Sequence, residues 1–174
     1  MTHREPFQAR RGQILLNRFQ LSHLLGQGGM GEVWRAYDRD LDLDIAIKLL
    51  HPELAAAPAQ VEFLKNECRL ARSLNHPHIV PMYDFHYDRD TVFISMAWVD
   101  GPSYDHWRKA RHHTWADLLQ PLVTIARALA YVHEQGLVHR DVKSGNILLD
   151  PQNRPHLTDF GIADVYRIDA DHSR

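Results

Sequence analysis

Short apolar stretches broken by turn residues occupy residues 14–50, and longer stripes with helical spacing follow. Before them, residues 1–12 hold Arg4, Pro6, Arg10 and Arg11 with no apolar periodicity, and read as a loose arm. Residues 19–25, 32–37 and 43–50 predict three antiparallel strands, the first two joined by a glycine-rich turn. The alternation Asp40-Leu41-Asp42-Leu43-Asp44-Ile45 has period two and predicts a strand with one wet face rather than a carboxylate metal cluster. Residues 58–75 predict a helix, with Val61, Leu64, Cys68 and Ala71 on one stripe and Asn75 before Pro77 as its end. Residues 79–85 and 91–99 predict two more strands around Asp88-Arg89-Asp90, and Asp100-Gly101-Pro102 breaks the chain, with a lobe boundary at 97–102. Thr114 followed three residues later by Asp117 reads as a capping box opening a long helix that ends before Gly136. Along residues 118–132 the apolar positions cover most of the circumference, so that helix must be buried. Residues 147–149 and 156–158 predict a small hairpin around Asp150-Pro151-Gln152-Asn153.

Composition narrows the class without naming a chemistry. The 174 residues suit one domain or two small lobes, and 44% hydrophobic with 24% charged content is that of a globular protein. Twenty basic residues against 22 acidic give no electrostatic reason to expect nucleic acid or an anionic membrane. The single cysteine, Cys68, forbids an internal disulfide and fits core packing in a reducing compartment. The first residues lack the apolar core of a signal peptide, and no apolar run reaches the roughly 18 residues a membrane span needs. The expected location is the cytoplasm.

Four motifs in order carry the chemistry. Gly26-Gln27-Gly28-Gly29-Met30-Gly31-Glu32-Val33 lies between two predicted strands, where side-chain-free positions let backbone N–H groups close over phosphate oxygens. Alone, that spacing fits a plain turn equally well, and a strand-like Val33-Trp34-Arg35-Ala36-Tyr37 after it argues against a dinucleotide fold. Lys48, closing Ile45-Ala46-Ile47, is read as the cation for the α- and β-phosphates, with Glu67 and Glu62 as candidate partners on the following helix. In His139-Arg140-Asp141-Val142-Lys143-Ser144-Gly145-Asn146, Asp141 can accept a proton from an incoming hydroxyl and Lys143 can offset charge on the transferred phosphoryl. Asn146 and Asp159, the latter opening Asp159-Phe160-Gly161, offer hard oxygen ligands to Mg²⁺. Together the four are the parts needed to move the terminal phosphoryl of ATP. His139 and the pairs His76/His78 and His112/His113 lack a third ligand at metal-binding spacing, and Trp98, Trp107 and Trp115 are read as packing residues.

On these motifs the chain resembles a eukaryotic-type serine/threonine protein kinase, and Gly-Gln-Gly-Gly-Met-Gly-Glu-Val-Trp is especially similar to bacterial members. The resemblance spans about residues 14–170. It implies an α+β protein-kinase-like fold: a flexible arm (1–13), a five-stranded antiparallel N-lobe with one main helix (14–99), and an incomplete, mainly helical C-lobe (100–174). It implies ATP and Mg²⁺ as cofactors and a protein serine or threonine hydroxyl as acceptor, with Lys143 matching the serine/threonine subgroup. It favours Glu67, ten residues before Pro77, as the Lys48 partner. Leu25, Val33, Ala46, Met96 and Leu148 match positions that sandwich adenine, and Ala97 and Val99 the hinge that hydrogen-bonds it. Lys48, Asp141, Asn146 and Asp159 are expected to converge on one triphosphate in the cleft between the lobes.

The family's domain continues beyond the point reached here, through the rest of the activation segment and the later helices. Arg140 beside Asp141 implies control by a phosphate on that segment, for which only Tyr166 and Ser173 remain as acceptors. A rival expectation follows: a catalytically weak kinase homologue that binds nucleotide or a partner, with its apolar helix covered by another chain or by self-association.

Overall fold

A computed structural model describes residues 9–29, 31–56, 58–88, 91–110 and 112–159 of the chain. Phe160, Gly161, Tyr166 and Ser173, singled out above, lie outside them. The chain divides into two compact units: the residues up to Arg69 with Met82–Trp98, and Leu70–Pro81 with the residues from Val99 on.

The first unit is a twisted antiparallel sheet in the order β1-β2-β3-β4-β6-β5. Its strands are β1 (Ile14–Leu15), β2 (Phe19–Gly28), β3 (Gly31–Asp38), β4 (Leu43–Leu50), β5 (Met82–Asp88) and β6 (Thr91–Ala97). The strand beyond the expected five is β1, two residues paired with Gln20 and Phe19, too short to leave a period in the sequence. Alternation gives the sheet two faces. On one, Leu15, Phe19, Leu21, Trp34, Ala36, Ile45, Ile47, Leu49 and Phe93 form a continuous buried cluster. The other carries Val33 opposite Lys48, Lys48 opposite Ile94, and Ala46 opposite Met96. The core fixes the register, because a one-residue slip would bring the second set inside.

Helix α1 (Pro52–Ala55) precedes α2 (Pro58–Arg72), on which Val61, Leu64, Cys68 and Ala71 are all buried as their spacing required. The aspartate-rich stretch departs from expectation. Residues 39–42 form a turn with Asp42 at φ 55°, and the strand starts only at Leu43. Asp38 builds that turn by accepting the N–H groups of Asp40 and Leu41, while Arg18 grips the same carboxylate from 2.7 and 2.8 Å. Local carboxylate-to-backbone bonds here outcompete the ladder.

The second unit holds α3 (Tyr104–Ala110), α4 (Trp115–Glu134), a 3₁₀ turn at Ser144–Asn146 and the hairpin β7 (Ile147–Leu149) with β8 (Pro155–Leu157). The expected capping box is present in full: Thr114 accepts the Asp117 N–H while Asp117 accepts that of Thr114. Pro121, Ile125, Ala128 and Val132 are buried along α4, but Leu119, Leu122 and Val123 remain 54%, 40% and 51% exposed. Trp115 is exposed too, a correction to its reading as a packing residue. The segment 79–85, expected as one strand, splits. Ile79 bridges Leu157 and the Val80 N–H donates to the Leu157 carbonyl, so the chain pairs with β8 before it enters the sheet at Met82.

Candidate active site

In the first unit the glycine motif forms the tip of the β2–β3 hairpin, with Gly26 opposite Val33 and Gly28 opposite Gly31. Gly31 has a packing reason to lack a side chain. At φ 157°, a Cβ there would lie 1.8 Å from the Leu49 carbonyl oxygen. Gly26 and Gly28 have no such reason, because a Cβ at either meets nothing within 4 Å and neither φ is left-handed. The fold alone would accept a Cβ at either of those two positions. Polar contacts brace the hairpin on both sides. Glu32 accepts hydrogen bonds from Gln27 Nε2 at 3.0 Å and Trp34 Nε1 at 2.9 Å, and His51 Nε2 lies 2.9 Å from the Gly28 carbonyl. The His51 contact spans 23 residues and leaves no trace in local sequence.

Lys48 sits on the face of β4 opposite the buried cluster, level with Val33 and Ile94, two residues along the strand from the Ala46–Met96 pair. The two carboxylates considered for it differ sharply. Glu62 is a surface residue 3.8 Å from Lys65, whereas Glu67 is only 3% exposed. Both Lys48 and Glu67 act on the neighbouring Cys68. Burial first, and then the Glu67 charge, push its thiol up to about 12, while Lys48 pulls the other way. Leu25 lies at a register irregularity of β2, and Ala97, opposite Ile45, belongs to the core face, leaving its backbone for any recognition role. Val99 and Leu148 belong to the second unit, the first buried and the second half-buried.

That unit carries the other motif residues on one connected loop. Asp141 Oδ2 receives Lys143 Nζ at 2.7 Å and Asn146 Nδ2 at 2.9 Å, and the same Nδ2 reaches the Asp141 carbonyl at 2.8 Å. The Lys143 hydrogen bond, with Asn146 assisting against partial burial, holds the Asp141 carboxyl below its ordinary range. Asp141 is therefore ionised at neutral pH. The amide nitrogen of buried Asn146 is thereby committed, and its Oδ1 makes no hydrogen bond among the described residues. Its own carbonyl accepts the Thr158 N–H at 2.9 Å, tying the loop to the segment that ends at Asp159. Asp159 and Arg140 both adopt left-handed backbone, at φ 53° and 59°, conformations that cluster at functional sites.

His139 is the residue sequence reasoning undervalued. It is 1% exposed, its Nε2 donates to the Thr158 carbonyl at 3.1 Å, and its Nδ1 faces the Asp141 N–H at 3.3 Å. Burial lowers its pKa, so the ring is neutral, and with both nitrogens engaged it cannot ligate a metal. Its partner lies 19 residues away, which is why spacing alone did not reveal the role. No group of three or more potential metal-ligating side chains occurs among the described residues. No helix there is long and apolar enough to cross a membrane.

PknA, a serine/threonine-protein kinase of Mycobacterium tuberculosis, is 37% identical over 158 residues, covering 87% of this chain and 37% of its own. PrkC, a serine/threonine-protein kinase of Bacillus subtilis, is 35% identical over 153 residues, covering 87% of this chain and 24% of its own. The chain thus spans well under half the length of either relative. The crystal structure of the M. tuberculosis PknI kinase domain superposes with a TM-score of 0.75 at 30% identity, covering 90% of this chain and 64% of that one. Residues 19–173 match the protein kinase domain, and this chain belongs to that family.

Proposed function

We propose that this chain is the ATP-binding and phosphoryl-transfer portion of a serine/threonine protein kinase, with residues 14–99 as its N-lobe and 100–174 as part of its C-lobe. The observation that carries the reading is the double hold on Asp141 by Lys143 and Asn146. It keeps a half-exposed carboxylate ionised and aimed, the state that accepts a hydrogen bond from an acceptor hydroxyl and then its proton. Gly26 and Gly28 leave backbone N–H groups open to phosphate oxygens, Gly31 closes the hairpin, and Lys48, oriented by Glu67, neutralises the α- and β-phosphates. Within the first unit, Leu25, Val33, Ala46 and Met96 supply an apolar surface for the adenine, and the backbone of Ala97 reads its edge.

The donor set fits magnesium, with one amide oxygen from Asn146 and one carboxylate from Asp159. When bound, the ion supplies charge neutralisation at the phosphate oxygens. Lys143, adjacent to Asp141, moves its ammonium to the transferred group. The names of PknA and PrkC support serine/threonine protein acceptors, and ATP use with a free, buried Cys68 suits the cytoplasm. Asp141→Asn tests the assignment: phosphate transfer to a basic protein should vanish while nucleotide affinity stays. Loss of both in a folded variant would refute the role given to Asp141.

A second reading has its own observation. Trp115, Leu119, Leu122 and Val123 leave an apolar strip of α4 in water, which suits a module covered by another chain or by self-association. A monodisperse monomer on size-exclusion chromatography would oppose it.

A further inference from the structure

Apart from the residues assigned to nucleotide, metal or phosphoryl transfer, the second unit contains a cavity of about 780 Å³. It is walled by His76 and His78 from the loop after α2, Trp107 of α3, His113 before α4, Arg127 of α4 and Arg154 of the β7–β8 turn. The rings are set by backbone contacts. His76 Nδ1 accepts the His78 N–H at 3.1 Å, which puts the proton of the neutral ring on Nε2. Burial, with a smaller push from His78, keeps that ring neutral. His78 Nδ1 donates to the Pro155 carbonyl at 2.8 Å, and His113 Nε2 to the Trp107 carbonyl at 3.0 Å, with its ring against the indole at 3.8 Å.

The wall is short of negative charge. Its carboxylate, Asp117, is occupied by the Thr114 N–H and hydroxyl at 2.9 and 2.7 Å. Arg154 is partly neutralised by Asp150 at 2.7 Å, but exposed Arg127 has no ion-pair partner among the described residues. The lining therefore combines the cationic charge of Arg127 and Arg154, the Nε2–H of His76 and apolar faces from Trp107, Pro121 and Pro155. Its volume lies within the roughly 300–1,000 Å³ of sites that enclose a ligand, enough for a few residues of extended chain. A net charge of −2 disfavours a long polyanion, so only a short acidic stretch is drawn to this spot.

We propose that this cavity docks an acidic peptide segment of a partner protein, its carboxylates on Arg127 and Arg154 and its aliphatic stems on Trp107 and the prolines. The site stands independently of phosphoryl transfer. The test is fluorescence anisotropy of a labelled Glu-Ala-Glu-Glu-Ala-Glu peptide against its Gln counterpart, on the whole chain. The acidic peptide should bind at least about tenfold tighter, and Arg127→Gln should remove most of that margin while ATP-analogue affinity is unchanged. His113→Ala, which removes the ring and the hydrogen bond that hold Trp107 in place, should weaken the same peptide. Equal binding of the two peptides, or unaltered affinity in both variants, would overturn the proposal. So would displacement by free glutamate or inorganic phosphate at the peptide's own concentration, which would make the site one for small anions.

Discussion

Two alanine substitutions three residues apart in the glycine hairpin should have opposite consequences, because only one position is constrained by the fold. At Gly31 a new Cβ would stand 1.8 Å from the Leu49 carbonyl oxygen, 2.8 Å from its carbon and 3.0 Å from Leu50 Cα. All three are backbone atoms of β4, so relief requires moving a central strand by more than an ångström. Strained backbone costs about 1–3 kcal/mol and overpacking another 1–3, so Gly31→Ala should lose about 2–6 kcal/mol. Against a typical total of about 5–15 kcal/mol, that is a large fraction. At Gly28 the new methyl meets nothing within 4 Å, and a less flexible unfolded chain should make Gly28→Ala neutral or stabilising by up to about 1 kcal/mol. On the proposed reading, in which phosphate oxygens close on this backbone, the same methyl would stand in their way, so nucleotide affinity should fall about tenfold, or ~1.4 kcal/mol. Urea denaturation and titration with a fluorescent ATP analogue separate the two effects. A Gly31→Ala protein as stable as wild type, or a Gly28→Ala protein with full nucleotide affinity, would refute the reasoning.

Three further outcomes follow from other parts of the structure. Arg18→Met leaves the 3%-exposed Asp38 carboxylate with only backbone donors. It should cost about 2–3 kcal/mol, reduced from the roughly 3–5 of a fully buried pair because Arg18 is a third exposed, and read as a drop of about 5–10 °C in Tm. Burial lowers the pKa of His76, His86 and His139, so the unfolded chain takes up protons first as pH falls. Their stabilising contribution is complete above about pH 7 and declines through pH 6 toward 5, and Tm measured from pH 7.5 to 5.5 should fall, less steeply in His86→Phe. A flat profile would contradict it. Thr114→Ala removes the side-chain half of the capping box and should cost about 1 kcal/mol in the same denaturation assay without changing nucleotide affinity.

Local chemistry was legible and long-range pairing was not. The capping box at Thr114 and Asp117, the buried stripe of α2 and the strands flanking the glycine hairpin each follow from residues within one or two turns of each other. The split at residues 79–82 could not be read, because Ile79 and Val80 find their partner 77 or 78 residues later in β8, and an apolar run looks alike in either pairing. Helix α3 was missed because its seven residues hold only one buried side chain, Tyr104, and are stabilised by Asp105 with Arg108 and Lys109. The 40–45 alternation misled because Asp38 diverts its backbone donors into a turn. At the site, motif spacing identified Asp141 and Asn146, but the neutral His139 that fastens their loop to Thr158 acts through a contact no local pattern encodes.

The most direct trial is calorimetric titration of ATP with and without Mg²⁺ into wild type, Lys48→Met, Asn146→Ala and Asp159→Asn. If the four motifs serve one bound nucleotide, wild type binds more tightly with magnesium. Asn146→Ala and Asp159→Asn should each erase that increment, and Lys48→Met should weaken binding with or without the ion. Magnesium-independent binding in wild type, or an increment that survives loss of both oxygen ligands, would contradict the shared site.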